Sequence, residues 1–516
     1  MSAQGPDLKS GPGFEALGLR LSEVAAYALA SSAEGRSEAS SQKAERLPGL
    51  SPEIWERQVK SVATDSRAVE PGAVFVALKG ESRDGHAYIP KALEAGAMAV
   101  IAQEGHDGLR GLPDGAVIIK VADTTAALGQ LAKSVRLRVD PLVAAVTGSA
   151  GKTTVKEFLR SIFEAAAGDS SKVLATSGNL NNHVGLPLTL LSMGPQTRLA
   201  AVEMGASNPG EIAYLTKIAK PDAGLVTMAG AAHLEYFGSL EGAAAAKGEL
   251  YQGLSASSVA VVNCQDRLMT EEALRFPGNK LFFGLADPRQ KGPEKIRGKG
   301  GALYPMVSAS VVRDNGLSGQ RITLKGPGLG STGASLDLKL CGPHNALNAS
   351  AAAAASIALG LGWREIAVGL SKTEPAEGRL RAKEGAGGIL VIDDSYNANP
   401  ESTEAALLFL KSLPAIRAAI LGDMLELGRQ SKELHQRVGR LAAESGLRRL
   451  ALVGRLSRQI GEAAEEAGMD KDYIGYFDDP EEAARFAAKS LPAGSVVLVK
   501  GSRAMALEKA AGLLAP

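Results

Sequence analysis

The chain has 516 residues, a net charge of +1, 45% apolar residues and only 4% aromatic ones. That length suits about three domains whose cores lean on Ala, Val, Leu and Ile. The near-neutral charge gives no reason to expect nucleic acid or a membrane surface as partner. Cys264 and Cys341 form neither a metal spacing nor a disulfide framework and fit a reducing cytoplasm.

Residues 1–15 are polar and glycine-rich and are expected to be disordered, with no basic stretch and apolar core of the kind a signal peptide carries. A helix is expected over Leu21–Ala30. Residues 31–58, rich in Ser, Glu, Ala and Pro, read as a flexible insertion, so 1–61 forms an N-terminal segment. Over 62–139, strands at Val74–Leu78, Ala99–Ala102 and Val117–Val121 alternate with helices in a small α/β domain. Over 140–373, strands at Leu142–Val146, Leu199–Glu203, Gly224–Met228 and Ser258–Val262 alternate with helices, as in a mostly parallel sheet. Val307–Val312, Arg321–Leu324 and Ser335–Leu340 break that rhythm. With the Asp314-Asn315-Gly316 turn signal they predict a small antiparallel appendage. Helices follow at about 344–360 and 363–371, and the apolar run Ala349–Gly362 is too short and alanine-rich to span a bilayer. Over 374–516, strands at Ile389–Ile392, Ala418–Leu421, Leu450–Val453, Tyr473–Phe477 and Val496–Val499 predict a doubly wound, Rossmann-like domain. The fold class is therefore α/β in three domains.

Thr147-Gly-Ser-Ala-Gly-Lys-Thr-Thr154 lies between the apolar run Pro141–Val146 and a helical pattern through Val155, Phe158, Leu159, Ile162 and Phe163. Strand, glycine-rich turn, Lys-Thr and helix is the arrangement that cradles phosphate. Lys152 adds a full positive charge, and Thr153 or Thr154 can offer a hydroxyl to Mg²⁺. The usual pattern has glycine five residues before the Gly-Lys pair, where this chain has Val146. A tight turn with an incidental lysine is the bland alternative, but the flanking strand and helix are what the motif requires.

In doubly wound sheets, ligands sit beyond the carboxyl ends of the strands. Glu203 closes one strand and can offer oxygen to Mg²⁺. His233 follows the next, although a lone histidine is more often a structural hydrogen-bonder. Lys247 alone would pass as a surface charge. In the last domain Asp393, Asp394, Asn397 and Asn399 crowd one strand end, Asp423 and Glu426 follow another, and Lys500-Gly501-Ser502-Arg503 a third. Acids and amides so placed suit ribose hydroxyls or a polar substrate.

Together these runs resemble the Mur ligase family, over about residues 62–516. Thr64-Asp65-Ser66-Arg67, the run Pro71–Gly80 and Asp84-Gly85-His86 look like that family's uridine-nucleotide domain. The loop Thr147–Thr154 resembles the family's own phosphate-loop variant, which accounts for Val146. Thr176, Asn179, Asn181, Asn182, Glu203-Met204-Gly205, Ala232-His233-Leu234-Glu235 and Gly342–Asn348 follow in the family's order. Asp393–Pro400, Gly422–Gly428 and Lys500–Met505 look like the member that adds D-alanyl-D-alanine to UDP-N-acetylmuramoyl-tripeptide. The Asp-Asn-Pro-Arg signature typical of the member that adds the third residue is absent from the sequence. One position departs: after Thr227 the family usually has asparagine, and this chain has Met228. A polar contact near the tripeptide or metal is then lost or supplied by another residue.

The resemblance implies an ATP-dependent amide-bond-forming ligase of cytoplasmic peptidoglycan precursor synthesis, acting as a monomer through an acyl phosphate. Gly148, Ser149, Ala150, Gly151, Lys152, Thr153 and Thr154 would hold the ATP phosphates. Asn348 would contact adenine with His344 and Asn345 in support, Asp394 the ribose, and Arg379 the γ-phosphate. Thr153 and Glu203 would hold a first Mg²⁺, and His233 with a carbamylated Lys247 a second, since an unmodified ammonium cannot ligate a metal. Lys152, Glu203, His233, Lys247 and Arg379 would thus carry catalysis. Ser66, Arg67, Lys79, Asp84 and His86 would serve the nucleotide-sugar, and Thr176, Asn179, Asn181 and Asn182 would also bind substrate. Tyr396, Asn397, Asn399, Ser502 and Arg503 would serve the incoming amine. The competing readings are an amide ligase adding a single amino acid or a folate glutamate, and a nucleotide-switched binding protein without ligase activity.

Overall fold

A computed structural model describes residues 13–30, 52–80, 82–286, 295–297, 303–330 and 332–516. The chain forms two compact units. The first holds 1–145, 167–205 and 211–222; the second holds 146–166, 206–210 and 223–516.

In the first unit, β1 (Ser61–Ala63), β2 (Ala73–Val76), β3 (Ala99–Gln103) and β4 (Ile118–Val121) form a parallel sheet in the order β1-β2-β3-β4. The β2 run Ala-Val-Phe-Val is buried at every position, as expected of a strand covered on both faces. The helix Thr124–Val139 starts on the Asp123 carboxylate, which accepts from the Thr125 and Ala126 amides. It is pinned by buried Arg136, whose guanidinium donates to Ala219 O, Lys220 O and Asp140. β5 (Leu142–Thr147) follows, its last two residues counted in the second unit. β6 (Val173–Ala175) and β7 (Leu199–Glu203) pair in parallel.

Two expectations of disorder are corrected here. Phe14 is fully buried ahead of a short 3-10 turn, and Trp55 is buried within the helix Pro52–Trp55. Val59 N donates to Leu19 O and Leu21 N to Arg57 O, tying both segments together. Each aromatic brings enough apolar area to anchor a polar stretch. The rest of the expected disorder, 1–12 and 31–51, lies outside the described residues.

The second unit holds β8 (Ala223–Val226), β9 (Val259–Asn263), β10 (Asn279–Leu285), β11 (Lys295–Arg297), β12 (Leu303–Asp314), β13 (Gln320–Lys325) and β14 (Ala334–Leu338). β8, β9, β10 and β12 run parallel; β13 and β14 extend the same sheet antiparallel, and β11 pairs with β12. The expected antiparallel appendage is therefore an extension of the main sheet. Its first strand is longer than its alternating run, and the apolar β10 (Asn-Lys-Leu-Phe-Phe-Gly-Leu) joins it to β9.

The same unit contains β15 (Arg381–Glu384), β16 (Leu390–Asp393), β17 (Arg417–Gly422), β18 (Leu447–Val453), β19 (Ile474–Phe477) and β20 (Val496–Lys500), in the order β15-β16-β20-β17-β18-β19. All pairs are parallel except β15 with β16. Apolar clusters around Leu407, Leu452 and Ile460, and around Val497, Ala484 and Leu507, form this sheet's core. The chain reverses order beside β20, so the ends of β16, β20 and β17 open a crevice there. Among the described residues, no helix is long and apolar enough to cross a membrane.

Candidate active site

The phosphate loop runs from the end of β5 to the helix Lys152–Ala167. Two glycines in it are compelled by space and backbone. Gly148 has φ +141°, and an added Cβ would lie 1.9 Å from Thr227 Oγ1. Gly151 has φ +82°, and its Cβ would lie 2.7 Å from Asn348 Oδ1. The loop is braced from β8 and the turn after it. Ser149 N donates to Met228 O, Thr227 Oγ1 to Ala150 O, and Ser149 Oγ exchanges hydrogen bonds with both Gly230 N and Gly230 O. Lys152 Nζ donates to Gly148 O at 2.6 Å, folding the cation back over the loop. Val146 is buried inside β5, so the glycine absent there leaves the turn intact. At Met228 the backbone carbonyl does the bracing, and an asparagine amide reaches this turn from another strand: Asn263 Nδ2 donates to Thr227 O at 2.8 Å.

The helix Pro343–Ala358 closes one side. Asn348 donates to Asn345 Oδ1 and Asn345 to Cys341 O. His344 lines the same cleft, and burial pushes its pKa down to about 4. Residues of 374–516 close the other side of this cleft of about 180 Å³. Arg379 Nη2 donates to Thr153 Oγ1 at 3.3 Å, and its guanidinium lies 4.2 Å from the Tyr396 ring centre. Asn399 caps the helix Pro400–Ser412 and donates to Ser149 O at 3.0 Å. Asp394 is more committed than a waiting ribose contact: Leu380 N donates to Oδ1 and Lys500 Nζ to Oδ2, at 3.0 and 2.6 Å. Lys500, buried, also donates to Asn397 O. Of the two residues expected at the end of this sheet, Ser502 Oγ accepts from Leu425 N, whereas Arg503 pairs with Glu508 and faces the Tyr396 ring at 5.8 Å.

Thr153, His233 and Lys247 belong to the second unit and Glu203 to the first. Glu203 is buried; its Oε1 accepts from Asn181 Nδ2, its amide donates to Thr176 Oγ1, and its Oε2 is buried without a hydrogen-bond partner. An orphaned carboxylate oxygen of this kind fits a hard divalent cation. Thr176 and Asn181 thus serve Glu203. Asn182 Oδ1 accepts from the Val184 and Gly185 amides at the entry to the helix Gly185–Leu190, and Asn179 is exposed. Lys247 is buried, with Nζ 3.4 Å from Ala206 O and 4.8 Å from the Phe237 ring centre. His233 has φ +56° and stands 2.5 Å by Nδ1 from Glu426 Oε2. Its pKa is lowered, first by burial and then by Lys152 and Lys247, against the pull of Glu426.

In the first unit, Ser66 is buried at the start of a short turn capped by Asp65, and exposed Arg67 folds back onto the Asp65 carboxylate. Lys79 bridges to Asp84 across a backbone pair. Asp84 accepts from the His86 and His106 rings at 2.7 and 3.0 Å. Burial opposes its charge, yet these partners and the His86 amide hold the carboxyl down to about 2. Each ring's other nitrogen accepts a backbone amide, from Gln103 and from Gly108. His86 is fully buried with both nitrogens engaged, so it acts by fixing Asp84 and not by touching a ligand. The same bookkeeping closes the Asp84–His86–His106 cluster to a metal, because a metal-bound neutral imidazole carries its proton on the nitrogen that here must accept.

Sequence reasoning did not single out Glu401 or His435. Glu401 Oε1 accepts from Ala231 N at 2.9 Å while its Oε2 is buried without a partner. His435 Nε2 accepts from Met424 N. The signal available was position alone: Glu401 directly follows the helix-starting Pro400.

Three family profiles match in order: the Mur ligase family catalytic domain at 58–136, the Mur ligase middle domain at 146–356, and the Mur ligase glutamate ligase domain at 378–503. The chain belongs to the Mur ligase family. It is thus an ATP-dependent amide-bond-forming ligase. Among its relatives, UDP-N-acetylmuramoyl-tripeptide–D-alanyl-D-alanine ligase of Haemophilus influenzae is 35% identical over 457 residues, 87% of this chain and 92% of that protein. The Escherichia coli protein of the same name is 37% identical over 456 residues, with the same coverage. Crystal structure I of MurF from Acinetobacter baumannii superposes with a TM-score of 0.75 at 32% identity, over 89% of this chain and 95% of that one. MurF ligase from Thermotoga maritima in complex with ADP gives 0.72 at 29%, over 88% and 96%.

Proposed function

We propose that this chain joins D-alanyl-D-alanine to UDP-N-acetylmuramoyl-tripeptide in the cytoplasm. The observation that carries the reading is the Arg379–Thr153 contact, which brings a cation from the 374–516 segment onto the phosphate loop. A substrate carboxylate and a triphosphate repel one another, so the cleft must gather positive charge before they can react. Lys152 and Arg379 lie where they can supply it. The tripeptide carboxylate oxygen bonds to the γ-phosphorus and ADP leaves. The amine nitrogen of D-alanyl-D-alanine then bonds to the acyl carbon, loses a proton, and inorganic phosphate departs. Asn397 and Asn399 line this cleft and the Tyr396 ring stacks on Arg379, which supports all three as contacts for the amine substrate.

Thr153, Glu203, His233 and a carbamylated Lys247 are the ligands we propose for Mg²⁺, which when bound would neutralise the phosphoryl oxygens. The orphaned Glu203 oxygen and the buried Lys247 side chain support that set. Intact-mass analysis of fully active enzyme is expected to show a carbamate on Lys247; an unmodified lysine removes this ligand. The whole reading is tested by phosphate release with D-alanyl-D-alanine, D-glutamate, L-lysine and diaminopimelate, each offered with UDP-linked tripeptides differing at position three. Release should require both D-alanyl-D-alanine and a tripeptide. Turnover of ATP that ignores every amine overturns it.

A further inference from the structure

Two non-glycine residues with positive φ face each other in the second unit: His233 at +56° and Glu426 at +62°. Such a backbone is strained in side-chain-bearing residues and persists only where surroundings enforce it. Here the surroundings are explicit. Asp423 takes the Ser457 and Arg455 amides on its carboxylate, Met424 N donates to His435 Nε2, and Leu425 N donates to Ser502 Oγ. Glu426 O then accepts from Glu235 N at 3.1 Å. Each residue from 423 to 426 is pinned, and the pinning aims the Glu426 carboxylate at His233 Nδ1, 2.5 Å away. Nδ1 is buried and stands at ion-pair distance from this carboxylate, without a hydrogen bond to any other group. The His233 ring also meets Phe237 edge-on, 6.3 Å between centres.

A neutral imidazole carries one N–H, and a carboxylate can only accept. The proton therefore belongs on Nδ1, which leaves the Nε2 lone pair for a ligand. We propose that Glu426 is a positioning residue that fixes His233 as the Nδ1–H tautomer and so makes Nε2 its ligating atom. Carboxylates play this part behind metal-bound histidines generally. Here the carboxylate comes from 374–516 and the histidine from 140–373, so the segment that receives the amine also prepares the phosphate side. The link to metal rests on the proposed role of His233; the tautomer does not.

The test is long-range ¹H–¹⁵N correlation on full-length protein labelled in histidine, with His233→Asn to assign the signal. Wild type should show one tautomer, protonated at Nδ1. Glu426→Ala should give a mixture, and Glu426→Gln, whose amide oxygen still accepts, should restore it. An unchanged His233 signal in Glu426→Ala overturns the proposal. Mn²⁺ binding with an unreactive ATP analogue, followed by electron paramagnetic resonance, should weaken about 10- to 100-fold in Glu426→Ala. If the tautomer moves and Mn²⁺ affinity does not, His233 is no metal ligand and its positioning by Glu426 still stands.

Discussion

Lys500 and Asp394 form a buried ion pair at the cleft beside the phosphate loop, 2.6 Å apart. Burial pushes the lysine pKa down while Asp394 pulls it up. Removing one partner strands the other without water, so Lys500→Met should cost about 3–5 kcal/mol, read by urea unfolding. The double variant Lys500→Met, Asp394→Leu should recover part of that loss. Arg379 is a different kind of residue, half-buried and braced by one hydroxyl and one ring. Arg379→Ala should lower kcat about a hundredfold or more, as loss of transition-state charge stabilisation does, with a smaller change in ATP affinity by calorimetry. Equal losses in both would place Arg379 in ground-state binding. At this scale the sequence was legible where a residue's neighbours are local. Lys152, Thr153 and the glycines are defined by a short run. Glu401 was not legible, because its partner Ala231 lies 170 positions away. Asp394 was visible as a strand-end acid, but its commitment to Lys500 needs the sheet order to bring two distant strand ends together.

Elements divide in the same way. Strands covered on both faces announce themselves as unbroken apolar runs, and β7, β17 and β20 lie where such runs predict them. β15 reads Arg-Ala-Lys-Glu and carries no apolar signal; it is a strand only because the edge of β16 is there to pair with. The phosphate loop depends on its glycines so strongly that Gly148→Ala should lower nucleotide affinity at least tenfold, measured by calorimetry, since the new Cβ would overlap Thr227. The loop from Asp423 to Glu426 depends instead on His435. That ring donates from Nδ1 to Ser431 O and accepts at Nε2 from Met424 N, which requires the neutral form. Burial lowers its pKa from 6.5. The stability it contributes is present above that value and lost as pH falls through the lowered one, because the unfolded chain takes up the proton first. Urea midpoints should therefore drop as pH is lowered from about 7.5 to about 5. His435→Gln, whose carbonyl can still accept from Met424, should flatten this component.

For the whole molecule, the second unit is clasped across its own cleft by Asn399 on Ser149 and Glu401 on Ala231. Asn399→Ala combined with Glu401→Ala should accelerate amide exchange in residues 148–154 in the full-length protein and leave exchange in β1–β4 unchanged. Equal acceleration in both would show general loosening in place of a local clasp.

The order β16-β20-β17 has a further consequence, for how the chain is made. The sheet's centre is filled by its last-synthesised strand, Val496–Lys500, buried at all five positions. Until that stretch has left the ribosome, β16 and β17 each present a bare apolar edge, open to the wrong partner. A message that stops short of Val496 would not yield a slightly smaller enzyme. It would yield a chain whose third sheet is split down the middle, without Lys500 and with Asp394 left alone in the cleft.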